Sequence, residues 1–373
     1  MSTRSDLLDS KRILVIRYRF IGDTILTVPF LRNLRHSFPE AQIDVLVGPQ
    51  SGEVLEGCPY VNNFITFDTT RFHKYDQGKG EKKSFWSYVK RLRKEKYDLV
   101  FVLKRSWSSA VLALLIGAKH RVGYATEGRQ ILLTQSIPWH KNIHEVDSTL
   151  EVLSGVNLPI QDRFLEAWIS EDEDADIKAI VPELGNEKNK ILIHAAAAHP
   201  DKMYPLERWA EVLKILAPQL NSDFYFTGAQ QDYLLYEELQ LLAGIKGINL
   251  AGKLSLRQSM ALYRRMNVAV CVDSGPAHLS AAVGVPTIAL FGPTDPERWR
   301  PYGESHLALY NAELPCRPCN YNKTCANREC LTEFSPSKLA DACMAVFQSR
   351  INFTPGNIQS MQGDFCSPTA DSN

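Results

Sequence analysis

The chain has 373 residues, too many for a single hydrophobic core of ordinary size and suited to two domains. Its hydrophobic share of 45% is that of a globular protein, and 42 Lys plus Arg balance 42 Asp plus Glu, so no overall field calls for nucleic acid. No run approaches the roughly 18 apolar residues of a membrane span, and MSTRSDLLDSKRILVIR lacks the apolar stretch of a secretory signal, so a cytoplasmic protein is expected.

Strand signals open the chain at KRILVIR and recur in QIDVLVG, NFITF and DLVFVL, each rich in β-branched residues. Helical patterns separate them: TILTVPFLRNLRHSF, then SFWSYVKRLRKEK, then AVLALLIGA from Ala110, which reads as a buried helix. Such alternation predicts parallel strands joined by crossover helices. From Lys79 to Lys96 eight Lys or Arg face two Glu, which is either a solvated helix face or a docking surface for anionic lipid or a phosphorylated acceptor. Apolar content then fades into ISEDEDADIKAIVPELGNEKNK, which reads as a solvated linker and hinge. A second alternating series follows: ILIHAAA, DFYFTGA, VAVCVD and TIALFG. The reading is two Rossmann-like domains, 1–165 and 189–350, joined by a linker at 166–188 and followed by a disordered polar tail at 351–373. Ligands of open α/β sheets sit beyond the carboxyl ends of the strands, so two such domains would share one cleft.

The chemistry-bearing residues fall at those strand ends. Gly22-Asp23-Thr24 joins the first strand to the first helix. Gly22 permits close approach of another molecule, and Asp23 is either a helix N-cap or a carboxylate aimed into the cleft. One glycine is no G-x-G-x-x-G fingerprint. In VDSGPAHLSAAVGVPTIALFGPTDP, a strand ends in Asp273-Ser274-Gly275 and a helix starts with Pro276 near its first position. That is a nest for an anion, with His278 one turn on. Lys202, in HAAAAHPDKMYPLERW, is a cation able to clamp a diphosphate, or a surface lysine. Asp232, in FTGAQQD, is an ordinary first-turn acid or a partner for ribose hydroxyls. Cys316, Cys319, Cys325 and Cys330 crowd into one segment, compatible with zinc or with free thiols. Asp-x-Asp is absent from every strand end, and His-Glu-x2-His does not occur, so no metal or other cofactor is expected at the cleft.

With these residues in view, the sequence resembles the ADP-heptose heptosyltransferases, inverting GT-B glycosyltransferases that build the inner core of lipopolysaccharide. The resemblance runs over roughly residues 11–345, on ILVIRYRFIGDTILTVPFL, HAAAAHPDKMYPLERW, FTGAQQD, GKLSL and VDSGPAHLSAAVGVPTIALFGPTDP. CRPCNYNKTCANRECL is similar to an insertion in members of the second-heptosyltransferase type. The resemblance implies that Asp23 is the catalytic base, flanked by Gly22 and Thr24. It puts Lys202 on the donor phosphates, Asp232 at the ribose, Leu254 along the adenine, and Asp273, Ser274, Gly275 and His278 around the diphosphate and sugar. Two departures stand out: Arg19-Phe20 replaces a frequent Ser-Ser, and Ala195–Ala198 bring no hydroxyl to the donor phosphate.

The expected partners are an ADP-sugar and a lipopolysaccharide-core or other glycan acceptor, with peripheral contact at the inner membrane surface and no nucleic acid. The alternatives are the same fold using another nucleotide sugar for a different surface glycan, or a non-catalytic sugar-nucleotide-binding module. Retention of both Asp23 and Lys202 counts against the module.

Overall fold

The computed structural model describes residues 4–18, 20–68, 83–321, 325 and 327–349. The tail 351–373, Arg19 and residues 79–82 of the basic run lie outside them. Among these residues twelve strands form two sheets. The first contains β1 (Arg12–Ile16), β2 (Gln42–Val47), β3 (Asn63–Thr66), β4 (Leu99–Val102), β5 (His120–Tyr124) and β6 (Gln135–Ile137), in the order β3-β2-β1-β4-β5-β6. The second contains β7 (Asn189–His194), β8 (Ser222–Phe226), β9 (Ile248–Asn249), β10 (Val268–Val272), β11 (Thr287–Leu290) and β12 (His306–Leu309), in the order β12-β11-β10-β7-β8-β9. Every pairing is parallel. This is the doubly wound pair of sheets that the alternating pattern predicts.

The central strands are apolar on both faces because helices cover both. Ile13–Ile16 of β1 and Val268–Val272 of β10 are fully buried. In each sheet the strand order reverses once, between β1 and β4 and between β7 and β10. At such a reversal the crossover helices leave to opposite sides and a crevice remains at the strand ends. The two crevices face each other. The core on one face of the first sheet (Val15, Phe30, Phe101) is continuous with Met260, Ala277 and Phe291 of the second half.

The acidic stretch read as a solvated linker is ordered differently. Glu171–Ile180 forms a helix, started by a capping box in which Ser170 and Glu173 bond each other's backbone N–H. It buries Ile177 and docks on the second half, where the Asp174 carboxylate meets Arg264 and Arg265. The preceding residues hold to the first half instead: Arg32 donates to Asp162 Oδ1 (2.6 Å) and the Phe164 carbonyl (2.6 Å), and Tyr60 donates to Glu166 (2.7 Å). The passage between halves therefore narrows to a few residues around Trp168–Ser170. Arg257 spans it, donating to the Trp168 carbonyl, to Glu173 (2.6 Å) and to the Glu53 carbonyl of the first half (3.3 Å).

Candidate active site

Asp23 follows β1, while Lys202 and Asp273 follow β7 and β10, so all three stand at the reversal points of their sheets. Asp23 is the third residue of the short helix Ile21–Ile25, whose N-cap is Phe20 and carries no side-chain cap bond. The capping alternative for Asp23 is thereby removed. Its carboxylate Oδ1 instead accepts from Arg17 Nη2 at 3.0 Å. Thr24, beside it, is buried and donates its hydroxyl to the Phe20 carbonyl (3.1 Å), which gives it a role in holding the turn.

Arg17 is itself enclosed. Its Nη1 donates to the Leu103 carbonyl (3.0 Å), and the same Nη2 that meets Asp23 also donates to Glu145 Oε1 (2.8 Å). Glu145 has no solvent exposure and gathers Arg17, Arg105 (3.3 Å) and Arg298. Burial alone would raise its pKa, but the three guanidinium charges outweigh burial and bring it down to about 2. Arg17, Glu145 and Arg298 escape the sequence reading. A buried glutamate at the start of a helix looks like any first-turn acid until its partners are known.

On the facing wall, Lys202 lies on a short 3₁₀ turn (Pro200–Lys202), and its ammonium meets Asp273 Oδ2 at 2.7 Å. Asp273 is buried and also accepts from the Thr294 hydroxyl, a second partner absent from the sequence reading. Asp273 thus anchors Lys202 in place. The helix Gly275–Ala282 begins directly after, with Ser274 as N-cap and Pro276 in its first turn, and Ser274 Oγ donates back to the Val272 carbonyl (3.1 Å). Its first-turn N–H groups and positive dipole end face the cleft.

His278 closes the arrangement. It is buried, and its Nδ1 has no hydrogen-bond partner among the described residues. Burial drives its pKa down to about 4; Lys202 pushes the same way, while Asp273 and Asp23 pull it up. The ring is therefore neutral at pH 7, and it packs against Gly22 so closely that a Cβ there would lie 2.8 Å from His278 Cδ2. Gly275 faces the same turn, with its own Cβ position 3.6 Å from Ile21 Cγ2. The Gly-Asp turn of the first half and the Ser-Gly-Pro turn of the second half are in contact.

Asp232 and Leu254 sit farther out. The Asp232 carboxylate accepts from the Ala229 N–H (2.7 Å) and so shapes its own turn, the first-turn role. Leu254 is partly buried beside the core, one residue before Ser255, which caps the helix Leu256–Arg264. The alanine loop after β7 is fixed from beneath, because the Tyr236 hydroxyl accepts from the Ala195 N–H (3.0 Å) and donates to the Thr227 carbonyl (2.7 Å). Of the four clustered cysteines, Cys330 is buried, Cys319 half-buried, and Cys316 and Cys325 exposed. Among the described residues no group of three or more His, Cys, Asp or Glu is arranged to hold a metal ion. A separate cavity of about 320 Å³ opens between the halves, bounded by His144, Asp147 and Arg163 on one side and Glu297 and Arg300 on the other.

Residues 85–330 match the family described as glycosyltransferase family 9 (heptosyltransferase). Lipopolysaccharide heptosyltransferase 3 of Escherichia coli is 28% identical over 318 residues, covering 80% of this chain and 89% of the relative. Lipopolysaccharide heptosyltransferase 2 of Salmonella typhimurium is 28% identical over 310 residues, covering 77% and 84%. Among solved structures, a family 9 glycosyl transferase from Veillonella parvula superposes with a TM-score of 0.78 at 24% identity, covering 92% of this chain and 98% of that one. E. coli ADP-heptose lps heptosyltransferase II gives 0.71 at 22% identity, covering 91% and 99%, a likeness of fold.

Proposed function

Because this chain belongs to glycosyltransferase family 9, the heptosyltransferase family, we propose that its cleft transfers heptose from ADP-heptose to an inner-core lipopolysaccharide acceptor with inversion at the anomeric carbon. The observation that carries this reading is the apposition of Asp23 with the Lys202–Asp273–His278 group, contributed by opposite sheets and touching through Gly22.

The acceptor hydroxyl is a weak nucleophile until a base takes its proton in the transition state. Asp23 is assigned that role: Arg17 holds Oδ1, and Oδ2 is the oxygen assigned to the proton. The oxygen so activated attacks the anomeric carbon as the bond to the ADP phosphate breaks on the opposite face. Negative charge growing on ADP meets Lys202 and the N-terminus of the helix Gly275–Ala282, both held in place beforehand. His278, neutral and with Nδ1 lacking a partner among the described residues, is assigned to the sugar or the diphosphate. Asp232 and Leu254 are assigned to the ribose and the adenine.

The acceptor half is assigned to the inner face of the cytoplasmic membrane. In its support, the helix Phe85–Lys94 exposes Trp86 beside Lys90, Arg91, Arg93 and Lys94. Among the described residues no helix is long and apolar enough to cross a membrane.

The test is a screen of ADP- and UDP-sugars against heptose-deficient lipopolysaccharide, with release of free nucleotide as the signal, run on the native chain and on Asp23→Asn. The expected result is acceptor-dependent release from ADP-heptose alone, lost in Asp23→Asn while ADP still binds. Turnover of a UDP-sugar in place of ADP-heptose, or native turnover by Asp23→Asn, would overturn the donor or the base assignment respectively.

A further inference from the structure

We propose that Glu145 is a positioning residue which clasps the two halves together through Arg298 and, through Arg17, aims the Asp23 carboxylate; the second part rests on the assignment of Asp23 as base.

Glu145 begins the helix Glu145–Ser154 and is fully buried. Removing a carboxylate from water costs several kcal/mol unless charge compensates it, and as a means of stability alone an apolar residue does as well or better. Here compensation comes from three directions. Arg17 lies at the end of β1 and Arg105 just after β4, both in the first half. Arg298 belongs to the short helix Pro296–Trp299 of the second half, and it also donates to the carbonyls of His140 (3.4 Å) and Lys141 (3.2 Å) across the cleft. The Trp139 ring neighbours two of the cations, with Arg105 at 4.8 Å and Arg298 at 5.0 Å from its centroid.

The partition over the two oxygens gives the device its direction. Glu145 Oε2 takes Arg298, and Oε1 takes Arg17 at 2.8 Å. The same Arg17 nitrogen, Nη2, serves Asp23 Oδ1 at 3.0 Å, so one of its two protons goes to each carboxylate. Fixing Glu145 fixes the direction of the proton that remains for Asp23. Arg298 holds Glu145 only while the halves are together. Closure of the cleft and orientation of Asp23 are thus a single event, transmitted Arg298–Glu145–Arg17–Asp23.

Glu145→Gln leaves the buried Arg17 and Arg298 and the half-buried Arg105 around a neutral side chain and is expected to unfold, so the working variants are Arg298→Gln and Arg298→Lys, which leave the Arg17–Glu145–Arg105 group whole. Steady-state transfer, ADP affinity and small-angle scattering are measured on each. Arg298→Gln should widen the particle and lower kcat by about ten- to a hundredfold, the range for a displaced catalytic group, with KM for the donor within about twofold. Arg298→Lys should restore part of kcat, because an ammonium replaces one of the lost contacts. Native kcat in Arg298→Gln, alongside an inactive Asp23→Asn, overturns the clasp. So does equal loss in the Gln and Lys variants without change in scattering, which is the mark of a local defect. Should Asp23→Asn turn over normally, the base assignment fails by itself, and the clasp between halves then stands or falls on the scattering of Arg298→Gln.

Discussion

A single methyl group added at Gly22 tests whether the contact between halves belongs to the working enzyme. In the arrangement described, the Cβ of Gly22→Ala would lie 2.8 Å from His278 Cδ2, closer than carbon atoms pack. The ring is enclosed, with 5% of its surface exposed, so it has little room to yield. Overpacking of this kind costs about 1–3 kcal/mol. The gain in helix preference on replacing Gly by Ala, roughly 1 kcal/mol, is the same whether the halves touch or part, and cancels between those two forms. The clash is felt only when they touch, so the ratio of closed to open form should fall by about 5- to 150-fold, the factor equivalent to that energy. If chemistry requires closure, kcat/KM in the nucleotide-release assay drops by a similar factor while ADP still binds the second half. Scattering should show a wider particle, and Gly22→Ala should have no such effect on shape in a His278→Ala background, where the ring is gone. Native kcat/KM and native scattering in Gly22→Ala would refute the reasoning, since the methyl would then be accommodated without parting the walls.

Four further outcomes are expected. Lys202→Ala should weaken ADP binding by about 1–3 kcal/mol, the range for a charge-assisted contact, and lower Tm because the buried Asp273 loses its cation; adding Asp273→Asn should restore Tm and leave ADP binding weak, and recovery of ADP affinity in the double variant would contradict the phosphate role. His278 has a pKa lowered by burial to about 4, so its neutral form stabilises the fold fully above pH 6.5, and that stability is lost as pH falls from there toward 4. Between pH 7 and 5 the loss is about 2 kcal/mol, so His278→Gln should flatten the urea-unfolding profile by that amount, and an unchanged profile would place the ring in a wetter site. ADP near the ring favours its charged form, so binding at pH 6 should take up protons, seen by calorimetry in buffers of different ionisation enthalpy. Finally, the chain should sediment with vesicles containing anionic lipid at low salt, and Trp86→Ser should reduce that fraction without altering turnover of a soluble acceptor; equal sedimentation would remove this helix from the membrane contact.

The sequence carries the architecture and the motif positions because both depend on local pattern. Apolar strand runs, and a glycine beside a polar residue after β1 and after β10, mark where crevices fall, and Asp23, Lys202, Asp273 and His278 do meet at those ends. What pattern cannot show is pairing at long range. Glu145 and Arg298 are separated by 153 residues yet share a buried ion pair, and nothing in HEVDSTLEVL or PERW distinguishes them from solvated helix starts. Arg17 reads as the polar edge of a strand, although it links two carboxylates. The helix Glu171–Ile180 was legible in principle: Ser170-x-x-Glu173 is a helix-start signal, masked by the run of acids after it. Those acids are matched by Arg257, Arg264 and Arg265, which lie more than eighty residues away and become neighbours only in the fold.

The division of labour between the sheets bears on how such proteins can be recombined. Donor recognition is assigned to one half and acceptor activation to the other, so a chimaera joining this second half to a relative's first half should keep its nucleotide preference and acquire a new acceptor. The seam for such a graft is narrow. A cut inside Glu171–Ile180 would strip the acids from Arg257 and Arg265, whereas a cut before Ser170 keeps that helix with the half it is docked on. Even then Arg257 would reach for carbonyls at Glu53 and Trp168, and Arg298 for a glutamate, all supplied by the foreign half. Compatibility of a foreign first half with this second half is therefore set by a few side chains at the seam, and a donor half transplanted without its counterpart for Arg298 would bring a buried cation that nothing answers.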